Sequence, residues 1–168
     1  MRKRFFVIAG LFLFTACAGI GMAEREKTYG KTTPVITASF ASERVTQGEK
    51  WLVYVNASDP DGDMDKIGCS IVQAGGGPYM DVWIKVPDDQ RQNLSGYIYL
   101  NTEGPRGFIS IKLMVYVADK AGHRSKPAVF HLSFNANERS RQAPPPAGLF
   151  AEKDLGRIAI ALETEEDW

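Results

Sequence analysis

Between Pro34 and Phe134 the chain alternates apolar and polar residues in short runs, each closed by glycine, proline or aspartate. The period is two, that of a strand with one face buried. No run in this stretch holds the 3.6-residue spacing of an amphipathic helix. Seven strands are predicted: Val35–Phe40, Trp51–Ala57, Lys66–Gln73, Met80–Val86, Ser95–Asn101, Ile109–Ala118 and Ala128–Phe134. In the longest, Ile109, Ile111, Leu113, Val115 and Val117 share one side, against Ser110, Lys112, Met114 and Tyr116. Ile67, Cys69 and Ile71 repeat the pattern, as do Met80, Val82, Ile84 and Val86, and Trp51, Val53 and Val55. The breaks include Asp59-Pro60-Asp61-Gly62, Gly75-Gly76-Gly77-Pro78 and Gly104-Pro105-Arg106-Gly107. Proline cannot donate to a ladder and glycine accepts positive φ, so these are turns with a mechanism. About seven half-buried strands over residues 34–134 predict an all-β fold, a single antiparallel β-sandwich.

The flanks follow other rules. Met1–Arg4 is basic, Phe5–Phe14 is an unbroken apolar run, and charge returns only at Glu24. This is the order of an export signal. Two processing routes are open. Gly21-Met22-Ala23 offers small residues for cleavage after residue 23, whereas Phe14-Thr15-Ala16-Cys17 resembles a lipobox that would lipidate Cys17 and remove residues 1–16. Either route predicts an extracytoplasmic address in a bacterial envelope, periplasm or cell surface, with membrane attachment only through the signal or a lipid anchor. Residues 24–33 read as a polar spacer, 135–148 as a Pro-rich linker and 149–168 as an acidic tail. In the tail, Ile158, Ile160 and Leu162 alternate before Glu163, Glu165, Glu166, Asp167 and Trp168. It is expected either to dock on a partner, through Trp168, or to fold back on its own domain.

Charge and cysteine content narrow the class. The chain has 168 residues, 20 of them Lys or Arg and 20 Asp or Glu. Cleavage after Ala23 removes Arg2, Lys3 and Arg4 and no acid, leaving a formal charge of −3. Such a balance excludes an electrostatic nucleic-acid binder. With Cys17 spent on the leader, Cys69 has no partner for an intrachain disulfide. Its alternation with Ile67 and Ile71 makes it a small core residue.

Three stretches carry a family resemblance. Val55-Asn56-Ala57-Ser58-Asp59-Pro60-Asp61-Gly62-Asp63 resembles a strand end and loop of bacterial immunoglobulin-like domains of the polycystic-kidney-disease and cadherin-like types. Gly107-Phe108-Ile109-Ser110-Ile111 is similar to their Gly-aromatic entry into the penultimate strand. Val115-Tyr116-Val117-Ala118-Asp119-Lys120-Ala121-Gly122-His123-Arg124-Ser125 resembles their closing hairpin, with His123 where asparagine is usual. The resemblance implies an immunoglobulin-like sandwich and says little about activity.

Asp59, Asp61, Asp63 and Asp65 fall at every second position around Gly62, and Asp119 joins them if its loop lies at the same end. Hard carboxylate oxygens on a tight loop suit Ca²⁺, the cofactor expected here; the alternative is a solvated turn whose aspartates bond their own backbone. Asn56 is a possible carbonyl donor to the same ion. Asp119, His123 and Ser125 are the residue types of a hydrolase triad, but no nucleophile elbow accompanies them, so no enzyme is expected. Aromatics lie on the sides opposite the core: Tyr54, Tyr97 and Tyr99 on one sheet, Tyr79, Trp83 and Tyr116 on the other. Broad rings with polar handles suit recognition. The function expected is that of a noncatalytic module binding an envelope protein, possible calcium stiffening included. The alternative is a carbohydrate-binding module stacking a glycan on the same rings.

Overall fold

The computed structural model describes residues 21–104, 107–135 and 139–162. Most of the expected leader, with Cys17, and the end of the tail, with Trp168, lie outside the described residues. Among the described residues no helix is long and apolar enough to cross a membrane.

Among the described residues nine strands form two sheets: β1 (Val35–Ala41), β2 (Lys50–Ser58), β3 (Met64–Gln73), β4 (Gly77–Pro78), β5 (Val82–Lys85), β6 (Asn93–Asn101), β7 (Phe108–Asp119), β8 (Ala128–Asn135) and β9 (Asp154–Arg157). The first sheet runs β1-β2-β6-β9; the second runs β4-β3-β7-β8, with β5 also on β3. All pairs are antiparallel except β6–β9. The orders β1-β2-β6 and β3-β7-β8 reproduce the A-B-E and C-F-G pairings of an immunoglobulin-like sandwich. The position beside β6, where that fold places its D strand, is taken by β9 from the C-terminal segment.

The alternation read from the sequence sets the core. Trp51, Val53, Val55, Ile98 and Leu100 face Ile67, Cys69, Ile71, Ile111, Leu113 and Val115 across the sandwich. The indole N–H of buried Trp51 donates to the Ser42 carbonyl at 2.7 Å, so the largest core side chain carries no orphan donor. Burial raises the Cys69 thiol to about 12, with Asp81 adding to the effect. Met80 departs from expectation at 89% exposed: the strand begins only at Val82, after the Gly-rich turn has swung Met80 outside the pairing.

Two flanking segments are more ordered than their composition suggests. Met22–Tyr29, across the expected leader–spacer boundary, forms helix α1. Its residues are good helix formers, Glu24 and Lys27 pair at 2.8 Å, and Gly30 ends it at φ 113°. The expected linker is instead a strap. Gln142 bonds the backbone of Lys50 and Leu52, the Leu149 carbonyl accepts from Asn56, and Ala151 N–H donates to Ser95. The strap crosses the outer face of the first sheet and then enters it as β9. Tyr97 N–H bonds Lys153 and Ile158 N–H bonds Tyr99, while Leu155, Ile158 and Leu162 are buried. Gly96 permits the crossing, because a Cβ there would collide with the Lys153 carbonyl.

Candidate metal centre

The β2–β3 loop and the β7–β8 loop meet at one end of the sandwich. Asp59 follows β2 and turns: its carboxylate accepts the Asp61 N–H at 3.0 Å and its carbonyl accepts the Gly62 N–H. Gly62 sits at φ 69°, a conformation that suits glycine. Asp119 ends β7, and its Oδ1 accepts the N–H groups of Gly122 and His123 at 2.6 and 2.8 Å. The loops are tied directly, Lys120 N–H to the Asp63 carbonyl at 3.2 Å.

This brings Asp59, Asp63 and Asp119 together, one carboxylate oxygen from each lying within 4.8 Å of the others. Their exposures are 0%, 6% and 6%. Asp59 Oδ2 and both oxygens of Asp63 have no hydrogen-bond partner. Removal from water raises the Asp59 carboxyl to about 6; the Asp61 N–H opposes this, and Asp63 and Asp119 reinforce it. Buried carboxylates at this spacing repel one another unless protons or a cation sit among them. The donors are all hard oxygens, so the residues fit a divalent cation such as Ca²⁺.

The other aspartates of the predicted set turn away. Asp61 is exposed, accepts the Thr32 N–H at 2.7 Å, and is held below its usual range by that bond. It packs on Gly30, where a Cβ would strike its carboxylate. Asp65 sits on β3 at a bulge, 3.5 Å from Lys66 Nζ. Strand alternation explains its direction: a position one residue past Met64, which faces the core, faces out. Asn56 is turned toward the strap, its side-chain N–H donating to the Leu149 carbonyl.

His123 backs the site. Its Nδ1 lies 2.7 Å from Asp119 Oδ2 and its Nε2 lies 3.2 Å from Glu26 Oε1. Both partners are carboxylates, and these two bonds raise the imidazole's pKa. Neither nitrogen is left to activate a nucleophile. Ser125 is spent as well, accepting from Val117 N–H and donating to the Lys126 carbonyl. The triad residue types therefore serve the turn. Glu26, in α1, was not legible as part of this end, since 97 residues separate it from His123.

The aromatic sets divide differently from their prediction. Tyr54 and Tyr97 do meet, ring centroids 5.6 Å apart, but the strap covers Tyr54. Phe150 lies 5.5 Å from Tyr54, whose hydroxyl donates to Glu152, leaving Tyr54 5% exposed. Tyr99 lies under Lys50 Nζ at 4.2 Å. On the second sheet Trp83 and Tyr116 meet edge-on at 5.4 Å, and the Arg124 guanidinium stacks 5.2 and 5.1 Å from their centroids. Gly68 leaves the space that Tyr116 fills. Tyr79 is not part of this group: it packs against the core and bonds Gln73.

No protein-family model matches the chain, and no curated protein matches it. Among solved structures, the CARDB domain of the PF1109 protein from Pyrococcus furiosus, in complex with di-metal ions, is similar over 61% of this chain and 87% of that one. The identity is 10% and the TM-score 0.32. At that score the likeness assigns no family, and the sandwich rests on the strand pairing described above.

Proposed function

We propose that the chain is a noncatalytic, extracytoplasmic immunoglobulin-like module that binds another envelope protein and is stiffened at its loop end by Ca²⁺. The observation that carries the cation is the trio Asp59, Asp63 and Asp119, buried together with three carboxylate oxygens unpartnered. Those three side chains would hold the ion, and His123 would orient Asp119 from behind. A cation bridging them ties the β2–β3 loop to the β7–β8 loop, so strain on one is carried to the other. The export-type N-terminus supports the address, with Cys17 as a lipid acceptor or release after Ala23 as the alternatives. Against the glycan alternative stands Tyr54, 5% exposed with Phe150 on its ring.

The test is thermal unfolding in EDTA and in millimolar CaCl₂. Binding at 100 times the dissociation constant adds about 2.7 kcal/mol, and the midpoint is expected to rise by several degrees. Asp63→Asn and Asp119→Asn should each remove the rise, and Asp65→Asn should not. The rise should fade as pH drops through about 6, where protons compete with the cation for Asp59. Identical midpoints with and without calcium would sink the cation site.

A further inference from the structure

The two lateral sides of the sandwich are finished differently. On one, β9 joins the first sheet and meets the second, with Gly156 against Ile84 of β5 and Leu155 and Ile158 buried beneath. On the other, β1 and β8 are the last strands of their sheets. They are tied there by the bridge between Arg44 and Ser133 at the far end of β1. The backbone hydrogen bonds of Val35–Ala41 run, among the described residues, only to β2.

Edge strands are usually guarded by charge, proline or shortness. Of the remaining edges, β4 is two residues with Pro78, β5 is four residues with Lys85, and β9 carries Asp154 and Arg157; β8, which has no Lys, Arg, Asp, Glu or Pro, is instead bonded by the segment after β1, Ser133 N–H donating to the Glu43 carbonyl. By contrast β1 reads VITASFA, seven residues with neither a charge nor a proline, and Val35 is 55% exposed. Its one irregularity is the break in register at Thr37, which adds twist but no charge. Three hollows follow the strand from end to end, of about 540 Å³ at Thr33–Ile36, 340 Å³ at Ile36–Ser39 and 490 Å³ at Phe40–Arg44. Their walls carry Arg124, Lys126, Arg44 and Arg141 against one acid, Glu43. That basic excess stands out in a chain whose acids match its bases overall.

We infer that β1 is a docking edge for an extended, acidic segment of a partner protein, which adds to the first sheet as a further strand. The ladder would supply affinity, alternate apolar side chains would enter the hollows beside Ile36 and Phe40, and acidic side chains would meet Lys126 and Arg141. This deepens the protein-binding reading and rests on it, but it is independent of the cation.

The experiment uses the full chain with two fluorescein-labelled probes of about eight residues, alternating Val-Glu and alternating Val-Lys. Binding is read by anisotropy, and the contact is located by amide hydrogen exchange. The Val-Glu peptide should bind, slow exchange across Val35–Ala41, and outcompete the Val-Lys peptide. A Lys126→Glu/Arg141→Glu double variant should bind it at least about tenfold more weakly with an unchanged melting midpoint. Equal binding of the two peptides, or of the double variant, would overturn the inference. Protection centred on Trp83 and Tyr116 would overturn the edge while leaving a protein-binding module. No protection anywhere by either peptide would overturn both, and the calcium melt would still judge the cation site separately.

Discussion

The outer faces of the two sheets carry similar aromatic sets and put them to different uses. On the first, Tyr54 meets Tyr97 and lies under a strap from the same chain, with Phe150 against it and its hydroxyl on Glu152. On the second, Trp83 and Tyr116 clasp Arg124, and Trp83 stays 41% exposed while Tyr116 is buried. An aromatic cluster on a sheet is therefore not a site in itself. What covers it decides whether it stabilises the fold or remains available, and cover comes from chain far away in sequence.

Removing the strap should have the largest effect. Deletion of residues 141–168 strips Leu155, Ile158 and Leu162 from the core and leaves the β6 edge unpaired. At about 1.5–3 kcal/mol for each buried side chain, the loss should be on the order of 5 kcal/mol, comparable with a whole domain's stability. Urea unfolding measures it, and an unchanged midpoint would mean that the strap is incidental.

A matched pair of substitutions sharpens the contrast. Tyr54→Ala should cost about 3 kcal/mol, since it opens a hole beneath Phe150 and strands the Glu152 partner. Trp83→Ala, on the open face, should cost about 1 kcal/mol or less. Equal costs in denaturant titrations would erase the distinction between the faces.

The smallest effect is spectroscopic. Tyr54 is raised above its ordinary pKa by burial and by Glu152, and Tyr116 by burial and Asp81, with Arg124 pulling the other way. Glu152→Gln should lower only the late tyrosine on the first face, and Asp81→Asn only that on the second. Ultraviolet titration of ring-specific Phe variants separates the two. A shift of both rings by either substitution would show that the faces are coupled.

Much of the sandwich was legible because period-two burial is a local property. Each of the seven predicted strands lies on an observed one, and Ile109, Ile111, Leu113, Val115 and Val117 all point inward as read. The short Asp154–Arg157 strand was not legible, since four residues with a central glycine give no period; its partner, β6, supplies the order. The aspartate ladder was half legible. Its spacing marked the loop, but Asp61 and Asp65 were indistinguishable from Asp59 and Asp63 until the β7–β8 loop showed which oxygens it met.

By itself, then, the sequence determined which residues alternate into strands and where glycine, proline and aspartate turn the chain. Only the tertiary structure decided that Asp119 joins Asp59 and Asp63, that the strap covers Tyr54, and that β1 ends its sheet without a charge. The physical reason is range. Alternation and turn chemistry act between neighbours a few residues apart. Carboxylate repulsion, ring cover and edge pairing act between atoms that only the folded chain brings within a few ångströms.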